Sequence, residues 1–539
     1  MSNPISPLKP TFYVARDIER ALGLNPRAPL YFIISNSSPL GKKMKEEYSD
    51  KILLIDEGRI LDTHELLEHE TAKKFIQSQE DPHILVFKNT TLIESICKEN
   101  KWTLLNPSAE LAETIENKIT QVEWLGPLTK YLPKHSLKTL EDVSFDNEPF
   151  ILQFNRAHTG SGTVLIESKE KLEELQKTFP KRPVRITQYI DGPMLTSNNV
   201  VAKDAVLPGN ISYQITGIEP FTDERFATIG NDWGLPNDLL SPEQKTFYRE
   251  MVKDIGEKMQ KEGWLGLFGI DVVLEEKTGK LYLIEINARQ PASTTCESSF
   301  QEKEDSDLTT MEAHIQALFH ESEKDASIIS VNSGSQIVQR VTEKIKEYKQ
   351  PVFYKDPNFE VIFYTNTKPN SDLIRMKFKD SVMKKHNELS EFGSVAMDFS
   401  LAMSYGQPWN APRAGVFIIQ DGKILLLKRH KFERDYCVIP GGTKENDETY
   451  EETALREITE ETSLTVTLKD IPPVHVLSQN RDEYYFVADT ISGTPKLGGP
   501  EAKANRTQNS YELIWVDGKE IDSIHLLPET VKEHIKKYI

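Results

Sequence analysis

Three glutamates with helical spacing are the first residues in this chain whose arrangement suggests chemistry. Glu457, Glu460 and Glu461 stand at positions i, i+3 and i+4. On a helix, this spacing puts the three carboxylates on one face, within about one turn of each other. Like charges so placed destabilise a helix by roughly 0.2–0.5 kcal/mol per pair, unless a cation lies between them. Carboxylate oxygens at this density suit Mg²⁺ or Mn²⁺, so we predict a divalent metal site here.

The flanking sequence predicts a loop followed by a helix that carries these acids. The run Pro-Gly-Gly at 440–442 interrupts the preceding apolar stretch. Thr449 and, three residues later, Glu452 form a capping-box pattern, which predicts that the helix begins at Tyr450. Arg456 lies four residues after Glu452, so it can pair with that residue or brace the acids. The alternative interpretation is an acidic helix that is simply solvated.

The segment resembles the Nudix box, whose pattern is Gly-x5-Glu-x7-Arg-Glu-apolar-x-Glu-Glu-x-Gly-apolar. Eight positions agree in register: Gly442, Glu448, Arg456, Glu457, Ile458, Glu460, Glu461 and Leu464. One position departs, because Ser463 stands where the family has a glycine that ends the helix with a positive φ, which serine tolerates less well. The resemblance implies a hydrolase in which a metal and a glutamate activate a water that attacks a nucleoside diphosphate linked to another group.

The same resemblance implies the roles of the residues in and around the box. The implied catalytic and metal-binding set is Glu457, Glu460, Glu461 and Arg456. The general base often lies outside the box, and Glu501 and Glu512 are equal candidates. Tyr436 or Trp515 could stack on a base, although aromatic residues at such strand positions more often belong to the core.

A second cluster of acids lies in a predicted β-hairpin. Two apolar runs flank the turn-like segment Glu-Lys-Thr-Gly-Lys at 276–280. If the hairpin is centred on Thr278, Asp271 lies opposite Glu285, and Asn287 shares their face because it stands two residues farther along. Acids placed directly opposite each other are unfavourable unless a cation joins them. The pattern predicts a second Mg²⁺ site, and the alternative is a surface hairpin with scattered acids.

Upstream segments add candidate nucleotide contacts. A predicted hairpin at 149–166 carries a loop, residues 158–163, that is rich in glycine, serine and threonine. Such a loop can present backbone N–H groups to phosphate. Gln188, Tyr189 and Ile190 follow another predicted strand, where their backbone could contact a base.

In this order, these pieces resemble the ATP-grasp superfamily over about residues 1–330. The resemblance implies a ligase that transfers the γ-phosphoryl group of ATP to a carboxylate, after which an amine or thiol attacks the acyl phosphate. The implied metal ligands are Asp271, Glu285 and Asn287. Arg289 would clamp a carboxylate substrate, or it could equally form a structural ion pair. The implied ATP-binding residues are Lys118, Gln153, Arg156, Gly160, Ser161, Gly162, Gln188, Tyr189 and Ile190.

One departure concerns the phosphate contacts. ATP-grasp enzymes usually carry a second lysine on the strand before the glycine-rich loop, and that position here is Gln153. We hypothesise that Arg156 supplies the missing charge, because arginine is longer than glutamine and stays charged at any working pH. This requires the strand to end near Asn155, since residues 153 and 156 would otherwise point to opposite faces.

Length and composition indicate how many domains carry these sites and which class of protein this is. The 539 residues are too many for one core, so we expect three or four domains. The 38% hydrophobic and 27% charged residues are typical of a globular protein, and no apolar run is long enough to span a membrane. The net charge of −18 argues against nucleic-acid or anionic-membrane partners. Three distant cysteines (Cys97, Cys296 and Cys437) favour the reducing cytoplasm.

We expect a multidomain α/β and α+β protein with four parts. Residues 1–110 alternate short apolar strands with helices, which predicts the small α/β domain that often precedes ATP-grasp. Residues 111–330 would form the ATP-grasp nucleotide-binding and catalytic region. Residues 331–408 would form a closing subdomain or connector, and 409–539 a Nudix domain, an α/β/α sandwich.

Three functional hypotheses compete. In the first, the chain is a bifunctional ligase and hydrolase that uses ATP and Mg²⁺ (or Mn²⁺) on a small-molecule carboxylate, an amine and a nucleoside diphosphate derivative. In the second, the Nudix domain senses a nucleotide and regulates the ligase. In the third, the front half is a non-catalytic scaffold, which Gln153 supports. A homodimer is left open.

Overall fold

The computed structural model describes residues 7–155, 162–301, 307–320, 326–348, 359–405, 411–431, 434–445, 448–478, 481–499, 502 and 509–539. The chain divides into two compact units. The first comprises Met1–Glu347 and Asn358–Ser400, and the second Tyr348–Pro357 and Leu401–Ile539. The finer division of the first 408 residues into three domains stays a prediction.

The first unit begins with a parallel five-stranded sheet flanked by helices, in the strand order β3-β2-β1-β4-β5. The strands are β1 (Thr11–Ala15), β2 (Tyr31–Asn36), β3 (Ile52–Ile55), β4 (His83–Val86) and β5 (Thr103–Leu104). The helices are α1 (Pro39–Glu47), α2 (Thr63–Glu68), α3 (Glu70–Gln77), α4 (Thr91–Asn100) and α5 (Ala109–Glu116). Alternate residues of β1 are buried in two different cores, one on each face of the sheet. This architecture confirms the expected α/β class.

A small antiparallel sheet follows, in the order β6-β9-β7-β8. Its strands are β6 (His135–Thr139), β7 (Phe150–Phe154), β8 (Thr163–Ile166) and β9 (Pro183–Gln188). Helix α6 (Thr120–Leu125) precedes it, and α7 (Lys169–Thr178) connects β8 to β9. The pairing of β7 with β8 confirms the hairpin that carries the glycine-rich loop.

A nine-stranded sheet forms the largest layer, in the order β15-β14-β10-β12-β13-β16-β18-β17, with β11 beside β10. The strands are β10 (Met194–Val201), β11 (Val206–Leu207), β12 (Ile211–Thr216), β13 (Thr228–Asp232), β14 (Gly266–Leu274), β15 (Leu281–Asn287), β16 (Ser335–Arg340), β17 (Phe359–Phe363) and β18 (Asp372–Phe378). A two-stranded sheet joins β19 (Met383–Lys385) and β20 (Glu388–Leu389).

The helices of this region are α8 (Pro236–Leu239), α9 (Pro242–Lys261), α10 (Thr294–Phe300), α11 (Thr310–Leu318) and α12 (Glu391–Tyr405). Buried α9 residues such as Tyr248 and Met251 pack with Phe268 of β14 and Leu283 of β15. This core fixes the β14–β15 pair, which carries the predicted metal ligands.

The second unit contains two mixed sheets, with the strand orders β25-β21-β28-β26 and β22-β23-β24-β30. Strand β27 pairs with β28, and β29 with β23. The strands are β21 (Arg413–Phe417), β22 (Ile419–Gln420), β23 (Lys423–Lys431), β24 (Arg434–Val438), β25 (Gly441–Thr443), β26 (Thr465–Leu468), β27 (Val474–Ser478), β28 (Arg481–Ser492), β29 (Asn509–Asp517) and β30 (Leu526–Leu527). The helices are α13 (Tyr450–Thr462) and α14 (Lys532–Ile535).

Helices cover two faces of these strands. Val416 packs in a core with Ile458 of α13, whereas its neighbour Phe417 packs in another core with Ile535 of α14. Successive strand residues therefore point to different helical layers, as in a layered α/β/α arrangement. In the part of the chain that the structure describes, no helix is both long and apolar enough to cross a membrane.

Candidate active sites

Strands β14 and β15 bring the front cluster of predicted metal ligands together. Their register places Asp271 directly opposite Glu285, as the sequence predicts. The register shifts by one residue past Ile284, so the pairs nearer the turn are offset from this one. Asn287 Nδ2 donates a hydrogen bond to Asp271 Oδ2 at 3.3 Å. The two acids and the amide therefore lie on one surface, and their role as ligands stays a prediction.

A lysine completes this cluster, which we call the front site (Asp271, Glu285, Asn287 and Lys118). Lys118 Nζ lies 2.6 Å from Glu285 Oε1. Burial alone would raise the pKa of Glu285, but the nearby cations, above all Lys118, outweigh burial and lower it. Burial and the negative charge of Glu285 together raise the pKa of Asp271. An additional cation at this site would relieve the repulsion between the two acids.

The donor chemistry of the front site fits Mg²⁺. Across the residues that the structure describes, no three or more His, Cys, Asp or Glu side chains are grouped as a metal-binding set. The front site offers two carboxylates and one amide oxygen instead. Mg²⁺ is commonly held by one or two carboxylates together with water and substrate phosphates, so this small donor set is sufficient.

Arg289 has well-defined partners. Its Nη1 donates to Glu116 Oε1 at 2.6 Å and to Asn287 Oδ1 at 2.7 Å. Glu116 also pairs with Lys88. Arg289 is thus an ion-paired residue at the edge of the front site, and its predicted role as a carboxylate clamp stays a prediction.

The small sheet holds part of the predicted ATP contacts. Arg156, Gly160 and Ser161 lie outside the described residues. Gly162 is described, and its carbonyl accepts a hydrogen bond from Phe154 N at 2.9 Å. Gln153 is buried, with 3% of its surface exposed, and its Nε2 is 3.5 Å from Thr163 Oγ1. The predicted roles of these residues are not decided by the structure.

The predicted base-contacting segment follows β9. Gln188 N donates to Lys134 O at 2.8 Å, which ties the end of β9 to the chain before β6. The Tyr189 hydroxyl donates to Asp191 Oδ1 at 3.2 Å, and Ile190 is buried. The segment is therefore anchored on the sheet, and its contact with a base stays a prediction.

Sequence reasoning overlooked Arg185 of β9. Arg185 is fully buried and pairs in register with Gln153 of β7. Its Nε donates to Thr187 Oγ1 and its Nη1 to Gln121 Oε1, both at 3.2 Å. The available signal was an arginine between two apolar residues, Val184 and Ile186, within a predicted strand.

Helix α13 begins as predicted. It starts at Tyr450, and both hydrogen bonds of the capping box join Thr449 and Glu452. It ends at Thr462, and the next residue, Ser463, caps it with φ +57° and ψ 18°. Ser463 N donates to Thr459 O at 3.2 Å. The family's glycine position thus keeps its left-handed backbone conformation, although serine occupies it.

Arg456 braces the acids of the Nudix-box site, which we define as Glu457, Glu460, Glu461 and Arg456. Arg456 Nε lies 2.8 Å from Glu448 Oε1, and its Nη1 lies 2.7 Å from Glu457 Oε1 and 3.6 Å from Glu460 Oε2. Glu452 is engaged in the helix cap instead. Of the two predicted roles of Arg456, the structure therefore supports bracing.

Backbone groups fix the remaining acid. Glu461 is 6% exposed, and its Oε2 accepts a hydrogen bond from Gly441 N at 2.9 Å. At Gly442, a Cβ atom would lie 2.3 Å from the carboxyl carbon of Glu457. A larger residue at this position would displace that carboxylate, so β25 packs closely against the acidic face of α13.

The electrostatics of this site fit a divalent cation. Burial raises the pKa of Glu457, the charge of Glu460 adds to the rise, and Arg456 opposes it. The hydrogen bond from Arg456 lowers the pKa of Glu448 to about 2. Among the described residues these three acids are not grouped as a metal-binding set, so the role of Glu457, Glu460 and Glu461 as ligands of Mg²⁺ or Mn²⁺ stays a prediction.

A second arginine that sequence reasoning overlooked supports the Gly-Gly loop. Arg413 Nη2 donates to Ile439 O at 2.8 Å and to Gly441 O at 2.6 Å. Arg413 pairs in register with Glu483, which is fully buried and accepts hydrogen bonds from Arg481 and Tyr485. The sequence holds no local signal for this network, because β21 and β28 are distant in the chain.

The predicted general bases and stacking residues are not decided by the structure. Glu501 lies outside the described residues, and Glu512 is exposed on β29 opposite Lys428 of β23. The guanidinium of Arg429 lies 5.8 Å from the ring centre of Tyr436, and Trp515 is 37% exposed. Their roles stay predictions.

Family models match two segments of the chain. Residues 115–293 match the ATP-grasp domain model, and residues 409–536 match the NUDIX domain model. The chain therefore carries an ATP-grasp domain and a C-terminal Nudix domain. Both families are enzymatic, and the matches confirm the two resemblances seen in the sequence.

Individual relatives are more distant. A stretch of 94 residues is 38% identical to ADP-ribose pyrophosphatase from Methanocaldococcus jannaschii, and it covers 16% of this chain and 55% of that relative. The chain thus spans about half the length of the curated relative it matches.

Two solved structures share the fold of the larger part of the chain. N5-carboxyaminoimidazole synthetase from Staphylococcus aureus has a TM-score of 0.50 at 12% identity, covering 74% of this chain and 99% of that one. Carboxyaminoimidazole ribonucleotide synthase from Aspergillus clavatus, complexed with ATP, has a TM-score of 0.50 at 14% identity, covering 73% and 98%. At these identities the likeness shows the fold alone.

Proposed function

We propose that this chain is a bifunctional enzyme. Its ATP-grasp domain acts as an ATP-dependent ligase that joins a carboxylate to an amine or thiol through an acyl phosphate. Its Nudix domain hydrolyses a nucleoside diphosphate derivative with Mg²⁺ or Mn²⁺. The observation that carries the ligase proposal is the register of β14 with β15, which sets Asp271 opposite Glu285 beside Asn287 and Lys118.

The chain's own residues divide the ligase work. Asp271, Glu285 and Asn287 would hold Mg²⁺ through their side-chain oxygens, and the bound ion would supply charge that neutralises phosphate oxygens. Lys118 adds a positive charge beside the same phosphates and holds Glu285 in place. Arg289 is ion-paired with Glu116, which is the structural alternative to the clamp role, so a carboxylate substrate would have to bind the remaining donors of its guanidinium.

The hydrolase proposal rests on the bracing of the Nudix-box acids. Arg456 orients Glu457 and Glu460, and the Gly441 N–H orients Glu461. These carboxylates would hold the divalent ion that lowers the pKa of an attacking water. ADP-ribose is the first substrate to test, because the matched relative is an ADP-ribose pyrophosphatase.

We also propose a reducing cytoplasm as the working compartment. The three cysteines are free and buried, and burial raises the pKa of the Cys97 and Cys296 thiols to about 11 and about 12. Such thiols are protonated and inert near neutral pH, as structural cysteines are in reduced proteins.

One panel of assays tests the proposal against its alternatives. Purified full-length protein is supplied with ATP, Mg²⁺ and pooled carboxylates and amines, and separately with a panel of nucleotides that includes ADP-ribose. We expect ATP consumption in the first assay and hydrolysis in the second. Hydrolysis without ATP consumption would favour the scaffold hypothesis. A nucleotide that alters ligation without being hydrolysed would favour the sensor hypothesis.

A further inference from the structure

Arg185 is a buried cation without the partner that buried cations usually have. Its side chain is fully buried, yet its two contacts among the described residues, Thr187 Oγ1 and Gln121 Oε1, are neutral. Within that part of the chain, its Nη2 has no hydrogen-bond acceptor. Burying a charge in this way is costly unless the group is paired.

Another buried arginine in the same unit, Arg375, has an acidic partner, as buried charges usually do. Arg375 is 7% exposed, and its Nη2 lies 2.7 Å from Asp372 Oδ2. Its remaining donors contact Gln336 and Tyr364. Arg375 is therefore satisfied within the fold, whereas Arg185 Nη2 has no acceptor among the residues that the structure describes. The contrast indicates that Arg185 is kept for a ligand and not for the fold.

The surroundings of Arg185 locate that ligand. Gln153 lies opposite it in the β7–β9 pair, is 3% exposed and has an unpartnered Oε1 among the described residues. Burial lowers the pKa of Arg185 to about 10, and the charge of Glu285 opposes this shift. Geometry links Arg185 to the front site as well. Gln121, which accepts from Arg185 Nη1, donates through its backbone N to Asn117 O at 2.8 Å, and the next residue, Lys118, contacts Glu285.

The guanidinium is also held in a fixed orientation. Gln121, which accepts from Arg185 Nη1, is fully buried, and its Nε2 donates to Ile115 O at 2.8 Å. Thr187 fixes the Nε end of the same guanidinium. A planar guanidinium held at Nε and Nη1 presents its third nitrogen, Nη2, without further loss of side-chain freedom.

We infer that Arg185 binds a phosphate oxygen of the nucleotide at the front site, in place of the cation that Gln153 does not supply. The inference rests on the proposed ATP-dependent function of that site. It differs from the hypothesis about Arg156, because Arg185 belongs to a β-strand that the structure describes and is locked by two neutral contacts.

Calorimetric titration of full-length protein, with Mg²⁺ and without carboxylate or amine, tests this inference. We compare ATP with adenosine as ligands for the wild type, Arg185→Met, Arg185→Lys and Arg156→Met. Loss of one charge-assisted hydrogen bond should weaken ATP binding of Arg185→Met by about 10- to 100-fold. Adenosine binding should be unchanged, and Arg185→Lys should recover part of the loss.

Thermal unfolding without ligand separates a binding role from a structural one. Methionine removes an unpaired buried charge but leaves Gln121 Oε1 and Thr187 Oγ1 without their donor, so the two effects oppose each other and the unfolding midpoint of Arg185→Met should change little. A lower midpoint, or equal weakening of ATP and adenosine, would overturn the inference. Unchanged ATP binding in Arg185→Met, with loss in Arg156→Met, would also overturn it. A wild type that binds no ATP would overturn the proposed ligase as well.

Discussion

At the front site Lys118 contacts Glu285, and at the Nudix-box site Arg456 contacts Glu457 and Glu460. Each basic side chain orients the carboxylates that it contacts. Lys118 lowers the pKa of Glu285, and Arg456 opposes the rise that burial causes in the pKa of Glu457. In both sites a basic side chain contacts neighbouring carboxylates. The front site lies on a pair of β-strands, and the Nudix-box site lies on the face of a helix. In both, burial is the main cause of the raised pKa of one acid, Asp271 or Glu457, and the charge of a neighbouring acid adds to it.

Replacing Glu285 tests the residue-scale account of the front site. Glu285→Gln keeps the size of the side chain but removes a charged ligand, so ATP-dependent turnover should fall by at least about 100-fold. Lys118, whose side chain is 13% exposed, also loses its charged partner. The free energy of unfolding should therefore fall by about 1–3 kcal/mol.

Glu276→Gln is the matched control, because Glu276 is an exposed acid in the turn of the same hairpin. Both variants are compared by ATP turnover and by urea unfolding. The control should behave as the wild type in both measurements. Turnover of Glu285→Gln equal to that of the control would contradict the metal-ligand role.

At the scale of elements, local sequence patterns predicted the features that residues close together in the chain determine, such as helix starts and hairpin pairs. The capping box gave the start of α13, and the hairpin symmetry gave the pair Asp271–Glu285. The symmetry argument did not foresee the shift past Ile284. Arg185 and Arg413 escaped detection because their partners lie on strands and helices that only tertiary folding brings near them.

The end of α13 offers a test of backbone strain. Ser463 holds φ +57°, a region that a residue with a Cβ atom adopts at a cost. Ser463→Gly should therefore raise the free energy of unfolding by about 0.5–1 kcal/mol, whereas Ser463→Ala should not. Urea unfolding of the two variants decides the matter, and equal stability of both would show that no strain is present there.

Strand β14 depends on a neutral histidine of α11. Leu267 N donates to His314 Nδ1 at 3.1 Å, and burial lowers the pKa of His314 to about 3. Because the unfolded chain binds the proton near pH 6.5, the free energy of unfolding should fall as pH drops from about 6.5 towards 3. The slope from this group is at most about 1.4 kcal/mol per pH unit.

His314→Gln keeps an acceptor for Leu267 N and removes the titration. Urea midpoints measured between pH 5 and 8 should therefore vary less with pH in this variant than in the wild type. An identical pH dependence of the urea midpoint in both proteins would show that His314 does not cause the loss of stability at low pH.

At the scale of the whole molecule, the chain is two compact units, each with its own hydrophobic cores. The sequence predicted both families and the α/β class. The division of the chain into four parts stays a prediction. Strands β16, β17 and β18, which lie in the predicted part 331–408, continue the sheet that contains β14 and β15. Sheet membership of this kind depends on long-range pairing, which local periodicity does not encode.

Independence of the two sites is the central claim, and one crossed assay tests it most directly. Full-length wild type, Glu285→Gln, Glu461→Gln and the control Glu451→Gln are each measured for Mg²⁺-dependent ATP turnover and for ADP-ribose hydrolysis. Glu451 is an exposed acid at the start of α13. Substitutions in separate sites should act independently. We predict that Glu285→Gln loses only ATP turnover, Glu461→Gln loses only hydrolysis, and the control keeps both. Loss of both activities in either single variant would contradict the account.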